Sequence, residues 1–203
     1  DIIYLFTLFL IFKLIIKCFK DYNYSFFKLT FDLGAVLSAI ILVFNLTWGI
    51  NYYRLPLNEK LNIKTIYTQK DLEEKIDFLI NQANELHLSL SVSDSLPLKF
   101  ANKKRILKES VYGYDRFSDS EMFKNSIRKK SLWSTPLSYM GFSGYINPFT
   151  LEGQINSKTP YLNLIISDMH EAAHQMGYAS EKEANFIAYF FSYKNPDPYV
   201  KYA

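Results

Sequence analysis

The sequence predicts a mainly helical α+β protein, with N-terminal transmembrane helices followed by a water-facing domain. Three observations carry that expectation. Residues 33–53 hold no charge, lying between Asp32 and Arg54, which is about the length a helix needs to cross roughly 30 Å of hydrocarbon. The charged residues, 21% of the 203, fall mostly after position 54. The second part alternates capped stretches of helical periodicity with one glycine-bearing extended segment. A membrane anchor over 1–54, with helices at about 2–19 and 32–53, and an extracytoplasmic domain over 55–203 follow as the expected domains.

The first apolar run, residues 2–19, is interrupted only by Lys13 and Lys17. With Lys20 they recur at i, i+4 and i+7 on one face near one helix end, where long side chains snorkel to the interface. The loop that follows carries Lys20, Lys28 and one Asp with Tyr22, Tyr24, Phe26 and Phe27; counting Lys13 and Lys17 from the adjoining helix end, the basic excess near it exceeds the single Arg54 beyond the second run. The positive-inside rule therefore places that loop in the cytoplasm and everything after Arg54 outside. Trp48, Tyr52 and Tyr53 are expected as an aromatic belt at the far interface. The one cysteine, Cys18, excludes an internal disulfide and a cysteine-based zinc cluster. The chain opens Asp-Ile-Ile without Met and is expected to be a fragment of a longer protein.

In the water-facing part, 68–88 reads as an amphipathic helix with Thr68 as its cap and Leu72, Ile76, Leu79, Ile80 and Ala83 at spacings of three and four. Lys99, Lys103, Lys104, Arg105 and Lys108 read as a solvated helix face. From Ser138 to Asn156, Gly141, Gly144 and Gly153 among β-formers predict short extended pieces joined by turns. A helix is expected to start at Thr159 and Pro160 and to stop at Gly177, and another to start at Ser180. Asn-Pro-Asp-Pro at 195–198 ends that second helix. A formal net charge of +3, spread over both halves, gives no polyanion-binding surface, so nucleic acid is not expected as a partner.

The first of these two helices contains His170-Glu171-Ala172-Ala173-His174. Histidines at i and i+4 share one helix face, so two imidazole nitrogens can reach one Zn²⁺, while Glu171 can lean over the metal as a general base toward a water the metal acidifies. With 3 His in the chain, an HExxH arises by chance on the order of 0.002 times. A catalytic zinc needs a third protein ligand. The longer three-histidine pattern fails, because Ser180 stands where its last histidine would be. Glu183, at the polar edge of the buried face of the next helix, is favoured; Glu181, in the first turn, is the alternative. Asn185 is a candidate to orient a ligand, and Tyr145, Tyr178, Tyr189 and His87 are conceivable oxyanion donors.

WGINYYR at 48–54, GFSGYINPFTLEGQIN at 141–156 and HEAAHQMGYASEKEANFIAYF at 170–190 together resemble an uncharacterised bacterial family of multi-pass membrane proteins, a domain of unknown function with a gluzincin-type HExxH core. The likeness covers most of 31–193. It implies a zincin-like domain after the anchor, with His170, His174 and Glu183 as ligands and Glu171 as base. The expected function is a membrane-anchored zinc metallopeptidase acting on a peptide or protein substrate. The competing expectation is a zinc-binding but inactive membrane scaffold or regulator.

Overall fold

The computed structural model describes residues 7, 9, 11–13, 16, 26–63, 66–91, 103–110 and 128–203. Thr7, Phe9, Ile11, Phe12, Lys13 and Ile16 are helical; the rest of the first apolar run, Cys18 included, lies outside the described residues, as does Lys99. Helix α1 spans Phe26–Thr47, and its Phe27–Thr47 stretch has a mean hydropathy of 2.0 with none of its most apolar window buried. Among the described residues it is the one helix long and apolar enough to cross a membrane.

The charge-free stretch to Tyr53 is not one helix. The α-helix begins at Phe26, includes Lys28 and Asp32, and gives way after Thr47 to a tighter 3₁₀ turn, Gly49–Tyr53. Gly49 permits the change: a Cβ there would lie 2.8 Å from Asn45 Oδ1. The turn carries Trp48 into the interior (6% exposed), whereas Tyr52 and Tyr53 stay exposed. Trp48 is thus a core residue rather than part of a lipid-facing belt.

Helix α2, Leu57–Lys60, starts after Pro56 and buries Leu57. Helix α3, Gln69–Leu90, has the expected Thr68 cap as a full reciprocal box: Thr68 Oγ1 accepts from the Asp71 backbone N–H at 3.2 Å, and Asp71 Oδ2 accepts from the Thr68 N–H at 2.7 Å. Helix α4, Lys103–Glu109, turns Ile106 inward, and Arg105 of its basic run pairs with Asp197 at 2.9 Å.

A three-stranded mixed sheet has the order β1-β3-β2, with β1 Lys129–Lys130 parallel and β2 Gly144–Ile146 antiparallel to the buried β3, Gly153–Ile155. Helix α5, Ser134–Met140, replaces the start of the expected extended segment and closes on Gly141 at φ 77°. Helix α6, Tyr161–Gln175, begins one residue later than expected, with Pro160 in the capping position. Helix α7 is Glu181–Lys194 and α8 is Pro198–Tyr202, the latter capped by Asp197 accepting from the Tyr199 N–H.

Helix α6 packs between the sheet and α7, and the core forms along that seam. Ile165, Met169, Ala172 and Ala173 of α6 meet Ala184, Ile187, Ala188 and Phe191 of α7, joined by Leu57, Ile106 and Val200. Small residues at 172, 173, 184 and 188 let the two helices approach closely. The polar motif face of α6 is thereby fixed in rotation toward the start of α7.

Candidate metal centre

Spacing of four residues on α6 stacks the His170 and His174 rings one turn apart, their centroids separated by 4.6 Å and their planes nearly perpendicular. The chain reverses at Met176–Gly177, where φ of 84° at Gly177 is the left-handed conformation glycine tolerates, and α7 then starts beside the histidines. Glu181, its first residue, reaches both rings. Its Oε2 is 3.1 Å from His170 Nε2 and its Oε1 is 3.4 Å from His174 Nε2. One donor atom from each of the three residues lies within 4.8 Å of the others.

The far side of each ring is engaged as well. His170 Nδ1 is 2.9 Å from Asn185 Oδ1, and His174 Nδ1 is 2.6 Å from the Tyr178 carbonyl oxygen. A carbonyl oxygen only accepts, so each Nδ1 carries a hydrogen, and each Nε2 is left facing the Glu181 carboxylate. Two ring nitrogens and the two oxygens of one carboxylate thus converge. Burial, and then the neighbouring His170, hold His174 below the ordinary histidine range. A divalent cation satisfies this donor set; two nitrogens and a carboxylate suit Zn²⁺, and Nδ1 hydrogen bonds to oxygen acceptors are what orient histidine ligands.

Glu171 is 4% exposed, and its Oε2 has no hydrogen-bond partner among the described residues. Burial, then the negative charges of Glu181 and Asp168, push its carboxyl up to about 8. Strands β2 and β3 press against it: a Cβ on Gly144 would lie 2.7 Å from Glu171 Oε1, and one on Gly153 would lie 3.3 Å from Glu171 Cβ. In the sheet of described residues β2 is an edge strand, so the carboxylate lies directly beneath a sheet edge.

Two contacts from distant sequence hold this geometry. Asp168, two residues before His170, accepts a fork of bonds from Arg128 (Nε to Oδ1 2.8 Å, Nη2 to Oδ2 2.9 Å) and a third from Ser110 Oγ at 2.8 Å. Arg54 donates to the Met176 carbonyl at 2.6 Å and lies 4.5 Å over the Tyr178 ring, fastening the turn whose carbonyl orients His174. The Trp48 ring stands edge-on to His174, centroids 5.8 Å apart.

A model of one protein family, described as Protein of unknown function (DUF3810), matches residues 1–203. The chain belongs to that family. No significant match is found among the curated proteins or the solved structures.

In this DUF3810 chain the carboxylate that meets the histidine pair belongs to Glu181, not to the favoured Glu183. Glu183 does lie at the polar edge of α7, but its Oε1 accepts from the Leu57 N–H at 2.5 Å, capping the free N-terminus of α2. Asn185 stands where a ligand-orienting residue is needed. The conceivable oxyanion donors are scattered. Tyr145 Oη meets Ser131 Oγ at 3.4 Å, Tyr189 stacks on Tyr193, His87 meets Tyr202 Oη at 3.1 Å, and Tyr178 serves through its backbone. Arg128 with its partner Asp168, Arg54 and Trp48 are site residues that sequence reasoning missed. None has a local signal, since each acts across more than 35 positions.

Proposed function

We propose that this protein is a membrane-anchored zinc metallopeptidase in which His170, His174 and Glu181 hold the metal and Glu171 is the general base. The observation that supports it most is the convergence of both Nε2 atoms on Glu181 beside a buried Glu171 whose Oε2 has no partner among the described residues. A purely structural zinc site needs a fourth protein ligand and has no use for such a carboxylate.

When bound, the ion supplies a Lewis acid that acidifies water and polarises a carbonyl. This chain's residues supply the rest. A substrate strand added antiparallel to the outer edge of β2 brings its backbone carbonyls over Glu171, because Gly144 leaves no side chain between them. Glu171 accepts a proton from the attacking water and returns it to the departing amine, so the carbonyl carbon gains OH and the nitrogen gains H. Asn185 and the Tyr178 carbonyl keep both imidazoles in the tautomer that presents Nε2. Helix α1 anchors the chain in a bilayer, with the domain on the side away from the lysine-rich N-terminal segment. The burial of Trp48 and the bond from Arg54 support anchor over removable leader, since cleavage near the end of α1 would strip residues from the site.

The test is metal analysis and peptide hydrolysis with the full chain in detergent. About one zinc per chain is expected in the native protein and in Glu171→Gln, with hydrolysis only in the native protein. Absence of bound zinc after purification, or equal hydrolysis by the variant, overturns the proposal.

A further inference from the structure

Resting on that reading, we propose that the substrates are polypeptide segments displayed at the surface of the membrane that α1 crosses, cut within a few residues of where they leave it, rather than freely diffusing peptides. The apolar Phe27–Thr47 stretch, at 1.5 Å per residue, spans about 30 Å, one hydrocarbon thickness, so Thr47 falls at its boundary with no helix left over to raise the domain. The next residue, Trp48, already packs on His174, with centroids 5.8 Å apart.

No stalk separates span from site. Thr47 Oγ1 donates to the Pro148 carbonyl at 2.7 Å, tying the helix end to the turn that leaves β2. Asn51 and Arg54 wedge against Gly177, where a Cβ would lie 2.7 Å from an atom of each, and Leu57 is in the core. Every few residues from 47 to 57 are therefore fastened to the motif loop or to the edge strand that would align substrate. The same stretch turns Ile50, Tyr52, Tyr53 and Leu55 outward, all more than 60% exposed. Aromatic and apolar side chains directly after a span belong at headgroup depth. The histidines are thus held at that depth, and a chain laid along β2 runs beside the bilayer surface. At about 3.3 Å per residue, a tethered segment reaches the site within roughly six residues of its own exit from the membrane.

The experiment uses the full chain, zinc-loaded, in nanodiscs. Its first arm reads position without catalysis. In a Trp48→Phe, Trp133→Phe, Tyr53→Trp background the sole tryptophan stands at position 53, whose side chain is 87% exposed, and lipids brominated high on the acyl chain are expected to quench it at least twofold more than lipids brominated near the chain end. Quenching by neither places the site away from the bilayer and overturns the inference. The second arm compares one peptide sequence presented free, on a membrane helix after a spacer of about 6 residues, and on the same helix after about 40. Cleavage at least 10-fold faster with the short spacer is expected. Equal rates for both spacers reflect tethering alone and overturn the inference while leaving the peptidase reading intact. Hydrolysis of none of the three overturns the peptidase reading itself.

Discussion

Asn185 Oδ1 sits 2.9 Å from His170 Nδ1, and the bond joins the middle of one helix to the motif of another. It fixes which nitrogen of His170 faces Glu181. Asn185→Ala removes that acceptor and leaves the Nδ1–H to water, so the ring loses its preferred tautomer and orientation. Zinc affinity is expected to fall about 10- to 100-fold, measured by competition with a chromogenic chelator, with the fold unchanged by circular dichroism. Unchanged affinity would show that Asn185 only packs.

Glu181 and Glu183 share the first turn of α7 but part in role, and their alanine variants separate the two. Glu181→Ala is expected to lower zinc content well below one per chain while leaving Tm of the metal-free protein nearly unaltered, because its carboxylate is 74% exposed. Glu183→Ala is expected to keep zinc but to lose about 1 kcal/mol of stability with the cap of α2. The reverse pattern would return the ligand role to Glu183.

How much of this was legible in the sequence depends on the range of each interaction. The histidine face, the Thr68 cap and the stop at Gly177 rest on residues within one or two turns of each other, and each follows from spacing and residue type. The choice between Glu181 and Glu183 does not, because it turns on where Leu57 returns, 126 positions away. Trp48 reads as an interfacial belt residue by its place after an apolar run; only the 3₁₀ turn sends it inward to His174 instead. Arg128 looks like any surface basic residue until Asp168 is seen buried opposite it.

That pair yields a stability prediction. Both side chains are almost fully buried, and Arg128→Ala leaves the Asp168 carboxylate with Ser110 alone as a partner among the described residues. A loss of about 3 to 5 kcal/mol in chemical denaturation is expected, larger than for any surface substitution. Replacing both residues together, Arg128→Met with Asp168→Leu, should restore much of it. Equal damage from the double variant would mean that the fork does more than neutralise Asp168.

Gly144 lies where β2 crosses the motif helix, and Gly144→Ala places a methyl 2.7 Å from Glu171 Oε1, 2.9 Å from its Cγ and 3.0 Å from the Gln154 carbonyl oxygen. Neither neighbour yields without cost, since the carboxylate is buried and the carbonyl belongs to β3. The variant is expected to lose about 1 to 3 kcal/mol of stability and most of its hydrolysis, while zinc content persists. Loss of zinc as well would indicate that the strand, once displaced, moves the histidines too.

The raised carboxyl of Glu171 makes metal-free stability depend on pH in a definite direction. Its ordinary value is 4.5 and burial pushes it up to about 8, so between those pH values the unfolded chain has released a proton that the folded chain keeps. The unfolded state binds fewer protons there, and this group's contribution to stability falls as pH rises from about 4.5 to about 8. His174, held low by burial, acts oppositely below 6.5, where the unfolded chain takes up a proton the folded one refuses. A single melting curve mixes the two, but the difference between native protein and Glu171→Gln isolates the carboxyl. In the presence of a chelator, Tm of the variant relative to native is expected to climb steadily from pH 5 to pH 8 and then level. Saturating zinc places positive charge near the carboxylate and should flatten the climb. A pH-independent difference in the metal-free protein would show that Glu171 is already ionised in the fold, held by water in place of a proton.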